Sequence, residues 1–497
     1  MKTARILQLE NDKLRAEIQQ KDTQLELKNT HILNLEAALI DLKKYRFGSS
    51  SEKQNNKDQL PLFNEAELIG DTKKTQKPKK NKKKSGSRTN LPDNLERINE
   101  THDIKEDQKT CPHDQTPLKF IGQVKTEQLH FVPATIKVIE HRQNKYVCPC
   151  CNKHIITAKK PKQIIPKSIA TPELLAYISI SKYADGLPLY RLSNMFKRIK
   201  INISRANLSN WILKCGTAVQ PLINLIQDEL YTQKCIHIDE TTLQVLKEPG
   251  KKAQTKSYMW VQRAGDNILF NYNPSRSADV VDELLQDYNG AIMTDGYKAY
   301  DAMAQKHKIT HLGCWTHARR YFMKVLDQGE NKAASQMIEL IGKLYAIEKQ
   351  LKDKEPDVIY QYRQEKSKPL LQDIKKLLDK ILHSTAPSGL MGKALTYLCN
   401  QWPKLIVYIE DGNYPIDNNA AENAIRPFVI GRKNWLFSNS QSGAKASANL
   451  YSIIETAKAH GINPQEYLAY IYKELPLVES VEGYEKLMPW NFNPNNI

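Results

Sequence analysis

The 497-residue chain has no run of about 18 uninterrupted apolar residues, which excludes an ordinary membrane-spanning helix. Its first residues, MKTARILQLENDK, lack the apolar core of a secretory signal, so a soluble, cytoplasmic protein is expected. Acidic residues are in deficit, 55 against 73 basic ones, and the formal charge of +18 suits a polyanionic partner. Cysteines are sparse, at 111, 148, 150, 151, 215, 235, 314 and 399. A cytosolic chain rarely builds a disulfide framework, so the tight group at 148, 150 and 151 points to metal. Apolar residues are almost missing from Lys73 to Arg88, where nine residues are basic. Such a stretch buries too little to fold alone and reads, within 47–99, as a basic disordered linker able to slide over phosphates. The length itself exceeds one hydrophobic core and calls for several domains.

What is present begins with a leucine-rich helix over residues 1–46. With Asn11 at heptad position a, the a seam continues through Ile18, Leu25, Ile32 and Leu39. Position d holds Leu7, Leu14, Lys21, Lys28, Leu35 and Leu42. Mostly apolar seams with a single buried Asn specify a short coiled coil, hence a homodimer or higher oligomer. Residues 100–160 read as a small β-rich unit, opened by CPHD at 111–114 and closed by CPCC at 148–151. Cys148 and Cys151 have the C-x-x-C spacing that grips a structural Zn²⁺; Cys111 joins them, and the fourth ligand is Asp114, His113 or Cys150. Residues 161–232 are helical. LYRLSNMFKRI and SRANLSNWILKCG flank a short turn, with Ser204 as N-cap and Arg205, Asn207 and Asn210 on the polar side of the second helix. That is the layout of a helix-turn-helix that contacts double-stranded DNA.

From 233 the pattern changes. CIHIDETTLQV, SYMWVQRA and NILFNYN follow with turn-sized gaps, as an antiparallel meander. A helix, a strand AIMTD ending at Asp295, a second helix, the strand ITHLGC and the helix WTHARRYFMKVL complete an RNase H-like α/β layout over 233–329. In that order strands one and four are neighbours, so Asp239 and Asp295 should meet. Two carboxylates side by side repel unless a cation separates them, and hard oxygen donors favour Mg²⁺ or Mn²⁺. Asp295 lies 56 residues after Asp239, and Glu422 a further 127. The extra length holds two strongly amphipathic stretches, so 330–410 reads as a helical insertion, with the domain resuming at 411–460. A third acid should come from a later helix, and spacing leaves both Glu422 and Glu455 open. Glu422 sits in IDNNAAENAIRPF, read as a helix that Pro427 ends, with Arg426 on the same face. Residues 461–497 form a C-terminal helical extension, announced by Gly461 and the NPQE start signal. The expected fold is therefore multidomain α+β.

Long motifs from end to end carry a family resemblance: RFGSSSEK, CPHD, CPCC, DGLPLYR, DETTLQVL, TDGYKAY, GCWTHARR and DNNAAENAIRPFVIGRKNWLFSNSQSGAKAS. With these the chain resembles transposases of insertion-sequence family sixty-six, bacterial DDE enzymes. The resemblance implies a catalytic triad of Asp239, Asp295 and Glu422, and an insertion carried over the active site. It implies DNA recombination at the ends of an insertion sequence: water cuts there, and the exposed 3′-hydroxyls then attack target DNA. Two Mg²⁺ or Mn²⁺ ions per site would activate the nucleophile and stabilise the leaving oxygen. His317, Arg319 and Arg320 in THARR, and Arg432 and Lys433 in GRKNW, are the candidate phosphate contacts beside Trp435, a candidate for base stacking. Accessory proteins from the same element are a further implied partner. Many relatives carry a second cysteine where this chain has CPHD. A dimeric zinc-containing regulator with an inactive RNase H-like domain is the competing reading, and the presence of all three acids opposes it.

Overall fold

A computed structural model describes residues 136–147 and 155–493, together with positions 19–22, 24 and 28, which are helical and exposed. The rest of the coiled-coil seam, the basic linker and the candidate zinc ligands Cys111, His113, Asp114, Cys148, Cys150 and Cys151 lie outside the described residues. The chain divides into two units, residues 50–160 and residues 1–49 with 161–497. In the first, β1 (Lys145–Val147) pairs antiparallel with β2 (Ile155–Thr157), and in sequence the two strands bracket CPCC.

The second unit is built on a mixed sheet. Its strands are β3 (Cys235–Lys247), β4 (Lys256–Ala264), β5 (Asn267–Asn273), β6 (Ala291–Thr294) and β7 (Thr310–Gly313), in the order β5-β4-β3-β6-β7. The first three pair antiparallel as the meander predicts, while β6 joins β3 in parallel and β7 joins β6. Strands one and four are therefore neighbours. A short strand unforeseen in the sequence, β8 (Ser438–Ser440), adds to the far end of β3 in parallel, Ser438 opposite Val245.

Alternation decides the layers. On β6, Ile292 faces one core while Ala291 and Met293 face the other, because successive side chains leave a strand on opposite sides. The first core gathers α1 (Pro172–Tyr183), α2 (Leu189–Arg198), α3 (Arg205–Ala218) and α4 (Gln220–Tyr231). It also takes in the late helices α13 (Gln441–Ala459) and α14 (Pro464–Glu474). Residues from Ile165 to Met488 thus share one apolar cluster. The second core holds α7 (Trp315–Leu326), α8 (Lys332–Gln350), α10 (Lys368–Leu382) and α11 (Leu390–Leu405). The first core also takes in α5 (Ala278–Leu285) and α6 (Lys298–His307), while α9 (Pro356–Tyr362) has no buried residue. The exposed edge of β5 is closed by hydroxyls of α13: the amide of Ile268 donates to Thr456 (3.1 Å) and that of Phe270 to Ser452 (2.7 Å).

Ser204 caps α3 as its sequence position predicts, accepting from the Asn207 amide at 3.2 Å. Buried Leu192, Phe196, Leu208 and Trp211 hold α2 and α3 together, and Ser193 Oγ donates to the Ile203 carbonyl across the turn (2.7 Å). Gly186 of DGLPLYR has φ +68, and a Cβ there would lie 2.8 Å from Asn434 Nδ2. Gly186→Ala is expected to cost about 1–2 kcal/mol, from the left-handed backbone plus the collision. Thermal melts beside Gly250→Ala check this, since Gly250 has φ +74 but open space, and the difference isolates the close approach.

One boundary differs from expectation. Helix α12 spans Asn419–Trp435 and runs straight through Pro427, which does not end it. The ring forfeits one backbone bond. Ala421, Ala424, Ile425, Phe428 and Gly431 stay buried along one face on both sides of it, and that packing outweighs the loss.

Candidate active site

On β3 the buried positions are Ile236 and Ile238, then Leu243 and Val245: the alternation changes phase, and Asp239 to Thr242 between them are all half-buried. The acids thus stand where the strand passes from burying one face to burying the other. Asp239 accepts a hydrogen bond from the Glu240 amide through Oδ1 (2.8 Å). Burial pushes its carboxyl up to about 8, and the charges of Glu240, Asp295 and Glu422 add to the effect. That electrostatic neighbourhood unites β3, the end of β6 and α12. Glu455 is not in it; buried on α13, its carboxylate pairs with Lys458 of the same helix (2.9 Å).

Asp295 follows the last residue of β6. Its Oδ1 accepts from the Tyr297 amide (3.0 Å), and its carbonyl accepts from the hydroxyl of Tyr397 (2.8 Å), on α11. Next to it Gly296 has φ +96, with Gln401 of the same helix packed against it. Helix α8 also reaches the site: Tyr345 donates to Asp417 Oδ2 (2.9 Å), beside Thr316 (3.0 Å). These two tyrosines were not legible as site residues, because nothing local distinguishes them from other helix aromatics.

Asp417 and Asn418 divide the work at the start of α12. Asp417 Oδ1 accepts the Asn419 amide (3.1 Å), so it is the aspartate that satisfies the helix end. Asn418 turns inward, fully buried, where its Nδ2 donates to the Ile238 carbonyl (2.8 Å) and its Oδ1 meets His237 Nδ1 (3.1 Å). Asn418 thereby ties the Glu422 helix to the residue preceding Asp239. Burial lowers His237 to about 4, so it is neutral and Nδ1 carries the donated proton.

Glu422 pairs with Arg320 of α7 (3.1 Å to Oε2), not with Arg426 one turn along its own helix. Arg320 Nη1 also approaches His317 Nε2 at 3.3 Å. Since guanidinium only donates, the His317 proton sits on Nδ1, facing Glu422 Oε1 at 3.6 Å, too far for a hydrogen bond. Burial, then the Arg320 charge, keeps His317 below its usual range. Arg319 is half-buried on the same helix and makes no ion pair among the described residues. Among those residues, three metal-ligating atoms lie within 4.8 Å of one another at Cys314, His317 and Glu422, but not at Asp239, Asp295 and Glu422. Burial pushes the Cys314 thiol up to about 12, so it keeps its proton at neutral pH and is a poor ligand.

Glu240 has protein partners of its own. Its side chain is 3 % exposed, with Oε1 accepting from Arg276 and Oε2 from the Tyr300 hydroxyl (2.7 Å). The adjacency of two acids in DETT therefore has two causes: Glu240 is neutralised by Arg276, and Asp239 has no ion pair among the described residues.

Among the other sequence candidates, Arg205, Asn207 and Asn210 are all exposed on α3. Lys433 is exposed too. Arg432 instead points into the protein, half-buried, donating to the hydroxyls of Thr241 (3.0 Å) and Thr242 (3.2 Å). Trp435 packs edge-on against Phe428 at 5.5 Å and carries Lys182 over its ring at 5.1 Å, so it belongs to the core margin and not to an open stacking platform.

Residues 167–446 match the family model described as Transposase IS66 family. Residues 108–152 match the zinc-finger binding domain of transposase IS66, residues 452–490 the IS66 C-terminal element, and residues 34–99 Transposase C of IS166 homeodomain. Among relatives, Uncharacterized protein y4qI of Sinorhizobium fredii is 30% identical over 495 residues, 94% of this chain and 90% of that one. Uncharacterized protein y4jD of the same organism is 26% identical over 410 residues, covering 79% of this chain and 80% of the relative. No solved structure matches. No helix among the described residues is long and apolar enough to cross a membrane.

Proposed function

The chain belongs to the IS66 transposase family, and from that premise we propose that it is a DDE transposase whose RNase H-like domain cuts and joins DNA at Asp239, Asp295 and Glu422. One observation carries the reading: three acids from segments far apart in sequence crowd together, and burial with mutual repulsion raises Asp239 to about 8. A structural acid would be paired, as Glu240 is. Asp239, with Asp295 and Glu422 in its electrostatic neighbourhood, offers hard oxygen donors that fit Mg²⁺ or Mn²⁺, and Glu422 would exchange its Arg320 partner for the ion. When bound, two such ions supply an activated oxygen nucleophile and charge neutralisation at the leaving 3′-oxygen.

The remaining work falls to the protein's own groups. The Glu240 and Tyr297 amides hold the Asp239 and Asp295 carboxylates in place, and Asn418 holds α12 to β3. His317 and Arg320, beside Glu422, stand where a scissile or flanking phosphate would lie, and Arg319 extends that basic surface. Lys433 is a second phosphate contact, while Arg432 stiffens the strand after the acids through Thr241 and Thr242. The family's zinc-finger domain carries structural Zn²⁺, here on Cys111, Cys148, Cys151 and one of Asp114, His113 or Cys150. A coiled-coil dimer, accessory proteins from the same element and a domain order of 1–46, 47–99, 100–160, 161–232, 233–329, 330–410, 411–460 and 461–497 complete the proposal.

The test is nicking of a duplex bearing the element's ends, with Mg²⁺ present and with the metal chelated. Metal-dependent cuts at the ends are expected; sequence-specific binding with no cut under any condition, accessory proteins included, sinks the catalytic reading. Helix α3 gives an independent expectation. Arg205→Ala should weaken binding to all sequences alike if the side chain meets phosphate, and should lower the slope of log affinity against log salt by about 1. A titration of binding across salt concentrations reads that slope directly.

A further inference from the structure

Immediately after α12 the chain makes a turn that leucine rarely accepts. Leu436 has φ +67 and ψ −50, with the Phe437 amide donating to the Trp435 carbonyl (2.9 Å): a γ-turn with positive φ at its centre. Such turns are rare and strained for a residue with a side chain. The strain is not relieved by burial, because Leu436 is 63% exposed and Phe437 is 42% exposed. The turn is rigidly held on both sides. Trp435 packs on Phe428 under Lys182, and Ser438 is locked into β8 opposite Val245.

Its position relates it to the acids twice over. Along β3, Asp239 and Val245 are six residues apart, about 20 Å at the rise of a strand. Along α12, Glu422 and Leu436 are fourteen residues apart, about 21 Å at the rise of a helix. The helix estimate equals about six base-pair steps of duplex, while the strand estimate reaches Ser438, two residues past the turn. Two lysines flank it: Lys433 is exposed on the preceding turn of α12, and Lys182, half-buried and lowered to about 8 by burial, lies over the Trp435 ring. Two apolar tips on a strained, anchored turn in a basic surface have the chemistry of a side-chain wedge between bases, where phosphates meet the cations and stacked bases meet the apolar groups.

We propose that Leu436 and Phe437 form a wedge that enters the base stack of the DNA held at the acidic site, about six base pairs from the scissile phosphate. The proposal rests on the transposase reading. The wedge holds the duplex unstacked near the element's end, and the left-handed turn is retained because it aims Leu436 outward.

The experiment uses the full chain and end-bearing duplexes carrying 2-aminopurine at successive positions, first with metal chelated and then with Mg²⁺ added to follow nicking. Wild type should raise the fluorescence severalfold at one or two neighbouring positions. Leu436→Gly should bring that rise close to the free-duplex level without lowering the melting temperature, since glycine accepts the turn, and Phe437→Ala should give an intermediate signal. Nicking with no 2-aminopurine response overturns the wedge and leaves the transposase reading standing. A response lost in Leu436→Gly without nicking keeps the wedge and overturns the catalytic reading. A response unchanged in both variants, or a loss of self-association in Leu436→Gly with the response intact, overturns the wedge in favour of a passive surface or a contact between copies.

Discussion

Asp239→Asn should abolish metal-dependent nicking while leaving DNA binding intact, and should raise the melting temperature of the metal-free protein at pH 8. The activity arm follows from the loss of one anionic oxygen donor in a set of three, and a drop of at least about 10³-fold is expected for a group acting directly on transition-state charge. The stability arm follows from burial. The Asp239 carboxyl lies at about 8 in the folded chain against an ordinary 3.8, with burial the largest cause and Glu240, Asp295 and Glu422 adding repulsion. Between those two values the folded state keeps a proton that the unfolded state has released. Stability therefore falls as pH rises through that window, and the penalty is complete above about 8. The amide escapes it, so the gain is absent below pH 4, grows towards pH 8, and reaches on the order of 2 kcal/mol after allowance for partial solvent access. Millimolar Mg²⁺ should reverse the ranking by stabilising wild type alone. Melts at pH 4, 6 and 8, with and without Mg²⁺, check all of this. A variant less stable than wild type at pH 8 in chelator contradicts the crowding argument, and one that still nicks removes Asp239 from the chemistry.

Arg276→Ala should be the most destabilising single change near the site. It leaves the carboxylate of Glu240, 3 % exposed, with the Tyr300 hydroxyl as its remaining side-chain partner. Removing one partner of a buried pair typically costs about 3 kcal/mol, because the other charge stays desolvated. The guanidinium also stacks 3.8 Å over the Tyr297 ring, a contact the substitution removes, while the Tyr297 hydroxyl keeps its bond to the backbone carbonyl of residue 276 (2.8 Å). Glu240→Gln added to Arg276→Ala should recover a large part of the loss, since the uncompensated charge is then gone. A double-mutant cycle by urea melts measures the coupling. Equal losses in the single and double variants would show that Arg276 acts through packing on Tyr297 and not through Glu240.

The segments whose physics is local were legible without coordinates. Short apolar runs with turn-sized gaps marked the strands from Cys235 to Gly313, and the cap at Ser204 and the Gly461–Asn463 boundary appear as their residue types predict. The sheet order brings β3 beside β6, as the alternation of helix and strand after the meander required. Asp239, inside β3, and Asp295, just after β6, could be named for the same reason: a carboxylate that interrupts an apolar run is visible in one dimension.

What tertiary structure decided involves partners separated by a hundred residues or more. The Arg320 pairing of Glu422, the Asn418 bridge to Ile238 and the Tyr397 hydroxyl on Asp295 have no spacing rule that announces them. Packing likewise carried α12 through Pro427 and drew Arg432 inward to Thr241 and Thr242. In sequence, Asp239 and Glu240 are two adjacent acids of equal rank. Folding separates them, because the cation of Arg276 reaches one carboxylate and leaves the other crowded by acids alone.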